Sequence, residues 1–162
     1  MWFLKFLMLL ALIVWIGGII FFAFVLAPTL FHVLPTTKLA GDVVNATLSK
    51  LHWMGLVSGI IFLAASLLYN WQKHGQLRLL AIAHIFVALM LALTVISQFG
   101  ITPRMRAIRA RMDSLVAHPA WDDTVRSEFA LEHQLSTWTE GAILFLGLGV
   151  AVLTTRRFGS NS

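Results

Sequence analysis

The segment FLMLLALIVWIGGIIFFAFVLAPTLF, residues 6–31, contains no ionisable side chain. A membrane-spanning helix needs about 20 mainly apolar residues, whereas the apolar core of a cleaved signal peptide is roughly 7 to 15 residues long. We therefore predict that residues 6–26 form a retained membrane span. The composition agrees, because 59% of the 162 residues are hydrophobic and only 12% are charged, against about a quarter in soluble domains.

Three further apolar windows, residues 53–71, 79–99 and 138–154, have the length of membrane spans. The chain is thus predicted to be one all-α integral membrane domain over residues 1–162, a four-transmembrane-helix bundle in the cell (cytoplasmic) membrane. The short segment NWQKHGQLR, residues 70–78, makes the second and third spans antiparallel. The two longer loops lie on the opposite side, and the arginines after the third span favour a cytoplasmic position for them.

The loop between the third and fourth spans has the pattern of an amphipathic helix. Thr102 is a plausible cap, followed by Pro103 at the first helical position. The apolar residues Met105, Ile108, Met112 and Leu115 recur at helical spacing, and the basic residues between them are Arg104, Arg106, Arg109 and Arg111. This pattern predicts an interfacial helix, with its apolar stripe in lipid and its arginines at the membrane surface. The pattern predicts a break at residues 118–121, with the last helix beginning at Asp122.

Charge and cysteine content restrict the class of protein. The net charge is +5, but Lys and Arg flank the apolar runs, where anionic lipid headgroups attract them. We therefore expect the lipid bilayer as partner, together with a homo-oligomer or another membrane protein, and no nucleic acid. The absence of cysteine excludes disulfides and thiolate metal sites.

Polar residues gather at the ends of the spans on the long-loop side. Because the spans alternate in direction, one level of the bundle is predicted to hold a polar cluster of His52, Gln98, Arg104, His133, Ser136 and Glu140. His84 precedes Gln98 by roughly 21 Å along a helix and cannot join them. We expect it to be a buried histidine bonded to a hydroxyl or backbone group.

Small residues mark the expected contacts between helices. Gly55 and Gly59 form a small-xxx-small pattern, which permits close approach of two helices in a membrane. Gly17 and Gly18 are the corresponding pair in the first span, and we expect Trp15 to pack against them.

Three functional interpretations remain open for the polar cluster. It binds an ion or small ligand or fixes the register of the bundle. Alternatively, His52 and His133 ligate haem or a transition metal, possibilities that leave the cofactor unknown. The third alternative is a transport or assembly subunit of a membrane complex. Soluble catalytic motifs such as the nucleophile elbow and the phosphate-binding loop are missing, which favours a protein that is not an enzyme.

Four segments together resemble the transmembrane protein 205-like family, or domain of unknown function 4149, in a bacterial member. These are WIGGIIFFAFVLAPTLFHVL, AGDVVNATLSKLHWMG, SQFGITPRM and EFALEHQLS, which occur in this order along the chain. The resemblance implies four helices, no established activity and a set of family-motif positions, namely Gly17, Gly18, Pro28, His52, Pro103, Arg104, His133 and Ser136.

The same resemblance does not support Glu140 as a catalytic carboxylate shared by the family, because the family pattern often has an asparagine at that position. More distantly, the plan of four helices with histidines at their ends is similar to the membrane domain of copper resistance protein D and to membrane protoporphyrinogen oxidases. This is an analogy of fold, and function depends on the site.

Overall fold

The computed structural model describes residues 1–74, 82–114 and 122–159, and these residues are helical apart from short connections. The helices are α1 (Trp2–Phe21), α2 (Ala27–Val33), α3 (Thr37–His74), α4 (Ile82–Ile96), α5 (Thr102–Ser114) and α6 (Asp122–Gly159). Short π-helical segments, Phe22–Leu26 and Ser97–Ile101, join α1 to α2 and α4 to α5. The result is four long helices, each long and apolar enough to cross a membrane.

The two π-helical segments have the same relation to a proline. Pro28 comes two residues after Leu26, and Pro103 comes two residues after Ile101. A proline inside an α-helix lacks an N–H donor and its ring collides with the carbonyl four residues earlier. A π turn is wider, and its backbone N–H groups bond five residues back, as Ala27 does to Phe22 and Thr102 does to Ser97. Both helices therefore continue through their prolines.

This continuity corrects the prediction for the loop after the third span. Thr102 has helical dihedral angles and is buried, so it does not cap a new helix. α5 extends α4 and packs along the first half of α6. Met105 and Ile108 are consequently buried within the protein, whereas the sequence placed them in lipid. Leu115, the break at residues 118–121 and residues 75–78 of the short connection lie outside the described residues, whereas residues 70–74 belong to α3.

The predicted arginine face is also placed differently. Three of its four members face acidic side chains of neighbouring helices: Arg104 Nη1 lies 3.7 Å from Glu132 Oε1, Arg109 Nη1 lies 3.4 Å from Asp42 Oδ1, and Arg111 Nη1 lies 3.0 Å from Glu128 Oε2. Exposed pairs of this kind contribute up to about 1 kcal/mol each. Their main effect is to fix how α5 lies against α3 and α6. Arg106 is exposed.

The second and fourth long helices extend well beyond their apolar windows. α3 is continuous over 38 residues, Thr37–His74, and α6, which begins at Asp122 as predicted, also has 38 residues. At 1.5 Å per residue a helix of this length measures about 57 Å, well beyond the roughly 30 Å of a hydrocarbon core. The first parts of α3 and α6 therefore project together from one end of the bundle, beside α5.

The apolar core lies in the other half of the bundle and is centred on Trp15. Its indole packs against α3, where Cβ atoms at Gly55 and Gly59 would overlap it. Leu91 of α4 closes the other side of Gly59. The remaining buried members include Met8, Leu12, Ile16, Phe62, Ala65, Val87, Met90, Ile143 and Val150. The small residues of α3 thus let α1 and α4 approach closely.

The glycines of the first span behave differently from each other. A Cβ atom at Gly18 would lie 2.6 Å from Met54 Cε and 2.9 Å from Leu51 Cδ1, so Gly18 is a packing position against α3. At Gly17 nothing lies within 4 Å of such an atom, and the residue is exposed. The expectation that Trp15 packs against Gly17 and Gly18 is wrong, because its indole contacts Gly55 and Gly59.

Candidate functional site

A hydrogen-bonded histidine lies where α3, the second π-helical segment and α6 meet. His52 is 2% exposed. Its Nδ1 is 2.9 Å from Gln98 Oε1, and its Nε2 is 2.6 Å from Glu140 Oε1. Because the three residues belong to three separate helical segments, the imidazole connects the second, third and fourth long helices.

Two serines extend this network. The Gln98 amide nitrogen donates to Ser49 Oγ at 2.9 Å, and Ser49 stands one turn before His52 on α3. The Ser97 hydroxyl donates to Glu140 Oε1 at 3.4 Å. Ser97 and Gln98 are consecutive residues of the π-helical segment, and each contacts the site. We refer below to Ser49, His52, Ser97, Gln98 and Glu140 as the His52 network.

The partners of His52 limit its proton arrangement, since both ring nitrogens face oxygen atoms. If both nitrogens carry protons, the ring is an imidazolium facing the Glu140 carboxylate. If the Gln98 amide is turned by 180°, a neutral ring accepts from the amide nitrogen and donates to Glu140. In each arrangement Oε1 of Glu140 is engaged by His52.

Next to this network is a cavity of about 700 Å³, within the range of roughly 300–1,000 Å³ typical of small-molecule sites. It is enclosed by the first π-helical segment and its flanks, the first half of α3, α5, and the middle of α6. Aromatic side chains form much of its wall, namely Phe22, Phe24, Phe31, Phe129 and Phe145. Phe24 and Phe145 are also exposed on the outer surface, so the cavity opens between the first and last long helices.

Three polar side chains line the middle of the cavity. Asn45 and Ser136 are each only 6% exposed, and neither makes a hydrogen bond within the described part of the chain. Glu140 is 15% exposed, lines the cavity and contacts the His52 network through Oε1. The polar atoms of Asn45 and Ser136 are not fully enclosed, so they reach the open space of the cavity, where a bound molecule could hydrogen-bond to them.

Charged and aromatic residues surround the outer end of the cavity. Arg109 is paired with Asp42, and its guanidinium lies 5.2 Å from the ring centre of Phe129. The imidazole of His133 also stacks on the ring of Phe129, and the two ring centroids are 6.1 Å apart. Lys38 also lines this end. The cavity thus passes from apolar walls through three neutral or acidic groups to a charged mouth.

The predicted polar cluster is only partly brought together. His52, Gln98 and Glu140 are joined by hydrogen bonds, and Ser136 lies one turn from Glu140 on the cavity wall. Arg104 is 74% exposed and faces Glu132. His133 is exposed at the mouth. Neither Arg104 nor His133 makes a hydrogen bond to the His52 network.

The residues named as metal or haem ligands do not form a site in this arrangement. His52 has both ring nitrogens occupied and does not line the cavity, whereas His133 is exposed against Phe129. Within residues 1–74, 82–114 and 122–159, no three His, Cys, Asp or Glu side chains are grouped so that they could hold a metal ion. The donor set therefore fits neither haem nor a transition metal.

His84 occupies the position expected of it, away from the cluster. Its Nε2 is 2.9 Å from Ser66 Oγ, and both residues are buried between α3 and α4. The prediction of a buried histidine bonded to a hydroxyl group is confirmed.

Sequence reasoning missed Asn45, Ser49 and Ser97. The first two precede His52 by seven and three residues on α3, so helical spacing alone places them on the same face. Helical spacing was therefore sufficient to predict that Asn45 and Ser49 share a face with His52. The cavity could not be predicted from the sequence, because its walls come from segments far apart in the chain.

The chain belongs to the family defined by the domain of unknown function DUF4149, whose model matches residues 10–114. That match covers most of α1 and all of α2 to α5, including His52, Gln98 and Asn45, but ends before Ser136 and Glu140. No curated protein and no solved structure matches the chain.

Proposed function

We propose that this chain is a multi-pass, non-enzymatic protein of the bacterial cytoplasmic membrane that binds an amphiphilic small molecule in the cavity beside Glu140. One observation carries the proposal: the polar groups of Asn45, Ser136 and Glu140 face the open space of a cavity whose walls are otherwise largely apolar. A bound molecule with a polar head would form hydrogen bonds with these groups. The resemblance to the transmembrane protein 205-like family supports the cellular setting.

The order of side chains along the cavity supports an amphiphile. By position along the helices, Ile19 and Leu144 lie at its inner end next to Glu140, Ser136, Leu48 and Asn45 lie further out, and the charged pair of Arg109 and Asp42 lies outermost. This order is that of one leaflet of a bilayer, from hydrocarbon to headgroup. A lipid-like molecule would therefore enter between the first and last helices with its chain inward and keep the orientation it has in the membrane.

Exposed aromatic residues indicate where the membrane boundary falls. Trp53 and Trp138 stand next to the His52 network and are exposed, and Trp53 packs edge-on against Phe99 with ring centroids 6.1 Å apart. Trp71, also exposed, follows Trp53 by roughly 27 Å along α3, close to a hydrocarbon thickness. Aromatic belts of this kind mark both interfaces. We place the His52 network at the cytoplasmic boundary, with the cavity crossing it.

The His52 network has a positioning role in this proposal. His52 and Ser97 hold Oε1 of Glu140, which leaves its second oxygen, Oε2, without a partner among the described residues. The network thus fixes the carboxylate at the cavity wall. Gly55 and Gly59 are packed within the chain, since Trp15 and Leu91 fill the space beside them.

The test is whether the purified protein carries an amphiphile in this cavity. We would purify the chain in a polymer nanodisc, extract it with organic solvent and quantify bound amphiphiles by mass spectrometry against empty nanodiscs. We expect one enriched species at about one molecule per chain in the native protein. Ser136→Trp places an indole in the cavity one turn from Glu140 and is expected to displace that species.

The matched control is Leu135→Trp, because Leu135 is the preceding residue of α6 but is exposed and does not line the cavity. It should retain the amphiphile. If native protein and the Ser136→Trp variant carry the same species in the same amount, the proposed function is wrong.

A further inference from the structure

We infer that the amphiphile bound by this cavity carries a primary ammonium head group, an inference that rests on the proposed binding function. It concerns the chemistry of the three polar groups in the middle of the cavity, Asn45, Ser136 and Glu140. These groups differ in what they can donate and accept, and that difference selects among head groups.

The three groups offer more acceptors than donors. The Glu140 carboxylate has its second oxygen free of partners among the described residues, Asn45 adds an amide oxygen and Ser136 adds a hydroxyl oxygen. The Glu140 and Ser136 side chains lie one turn apart on α6, whereas Asn45 is seven residues, roughly 10 Å, before His52 on α3 and therefore lies nearer the mouth. A primary ammonium has three N–H donors and no acceptor, so it can donate to Glu140 and Ser136 together.

The negative charge of the Glu140 carboxylate also favours a cationic head group. Glu140 is the acidic side chain in the middle of the cavity, and it is held there by His52 and Ser97 from behind. A carboxylate or phosphate head group at this level would lie against another carboxylate, and such like-charge contacts are unfavourable at low dielectric. The neighbouring phenyl rings of Phe22 and Phe145 are compatible with a cation, which is attracted to ring faces.

The basic residues at the mouth are the competing feature. Arg109 and Lys38 line the outer end and could attract an anionic head group instead. Arg109, however, is already paired with Asp42 and packed against Phe129, and Lys38 has an interaction partner of its own. An anion at the mouth would also leave Asn45 and Ser136 facing its hydrocarbon chain. We therefore place the head group at Glu140.

The experiment compares three tritiated compounds of equal chain length, namely dodecylamine, dodecanol and dodecanoate. Each is titrated at pH 7 onto the protein in uncharged phosphatidylcholine nanodiscs, and bound radioactivity is measured by scintillation proximity. The Ser136→Trp variant in identical nanodiscs is the blank for partition into lipid. At this pH an alkylamine is protonated and a fatty acid is largely ionised in water.

We expect dodecylamine to bind most tightly, dodecanol less tightly and dodecanoate least. Glu140→Gln should weaken dodecylamine binding by about 10- to 100-fold, the usual effect of losing a hydrogen bond to a charged group, and change dodecanol binding by less than about threefold. Glu128→Gln is the matched control, because that carboxylate pairs with Arg111 away from the cavity. It should leave all three compounds unaffected.

A second variant covers the case in which Glu140→Gln does not fold. Ser136→Ala removes the second acceptor beside the Glu140 carboxylate without touching the His52 network and should weaken dodecylamine binding by about tenfold. The inference is overturned if dodecanoate binds as tightly as dodecylamine, or if both variants leave the order of the three compounds unchanged. If dodecanoate is preferred and Arg109→Gln removes that preference, the mouth selects an anion. If none of the compounds exceeds the blank and no amphiphile co-purifies, the proposed function fails as well.

Discussion

The two halves of this bundle are packed in opposite ways. Around Trp15 the helices are in direct contact, and Gly55 and Gly59 leave no space for even one added carbon atom. Around Glu140 the helices enclose a cavity of about 700 Å³ with buried polar groups on its wall. Close packing of small residues is what stabilises helices in a membrane. One half of the bundle is therefore closely packed and stabilises the fold, whereas the other half, which we call the open half, contains the cavity.

The His52 network is where these halves meet, and removing its centre should have the largest effect. His52→Ala leaves Glu140 and Gln98 without their buried partner, which we expect to lower the free energy of unfolding by about 3 kcal/mol. An SDS titration followed by circular dichroism measures the change.

His133→Ala is the control for this variant, because His133 is the other histidine of the predicted cluster but is exposed at the mouth. We expect it to change the free energy of unfolding by less than about 0.5 kcal/mol. Equal effects of the two substitutions would show that the His52 network does not stabilise the bundle.

Overpacking the closed half should have a smaller effect. In Gly55→Ala the new methyl group meets the indole of Trp15, and displacing a buried indole is expected to cost about 2 kcal/mol. The same titration applies, with Gly17→Ala as the matched control, since nothing lies within 4 Å of a Cβ atom there. Gly17→Ala should leave stability unchanged or raise it slightly. If both variants unfold alike, the close contact between α1 and α3 is not a source of stability.

The difference between the halves also explains what the sequence could and could not predict. Apolar length is sufficient for the four long helices, and alternating helix direction places His52, Gln98 and Glu140 at one level. The position of a side chain along the helix axis is predicted less accurately than the end of the bundle at which it lies. His133 is seven residues before Glu140, roughly 10 Å along the helix, and this distance moves it from the network to the mouth of the cavity.

Two features depend on tertiary geometry that the sequence does not encode locally. Pro103 normally predicts the start of a helix, but the π-helical segment before it lets α4 continue into α5. α5 then lies along α6, so that Met105 and Ile108 are covered by protein. The walls of the cavity likewise come from segments far apart in the chain, and no single segment contains that information.

The two halves are compared most directly by a substitution that raises the free energy of unfolding and weakens dodecylamine binding. Ser136 faces the cavity one turn from Glu140 on α6, and its hydroxyl makes no hydrogen bond among the described residues. Ser136→Ala introduces the residue with the highest helix propensity and should raise the free energy of unfolding by about 0.5 kcal/mol. Thermal or SDS unfolding of the ligand-free protein measures this, and the dodecylamine titration measures the loss of binding.

Ser66 is the matched control, because it is a buried serine of α3 in the closed half, and its Oγ lies 2.9 Å from His84 Nε2. Ser66→Ala should therefore lower stability and leave dodecylamine binding unchanged. A residue that serves only the fold loses stability when its polar group is removed, whereas one retained for a ligand gains it. If Ser136→Ala is destabilising like Ser66→Ala, Ser136 has a partner within the fold and the open half needs no ligand to explain it.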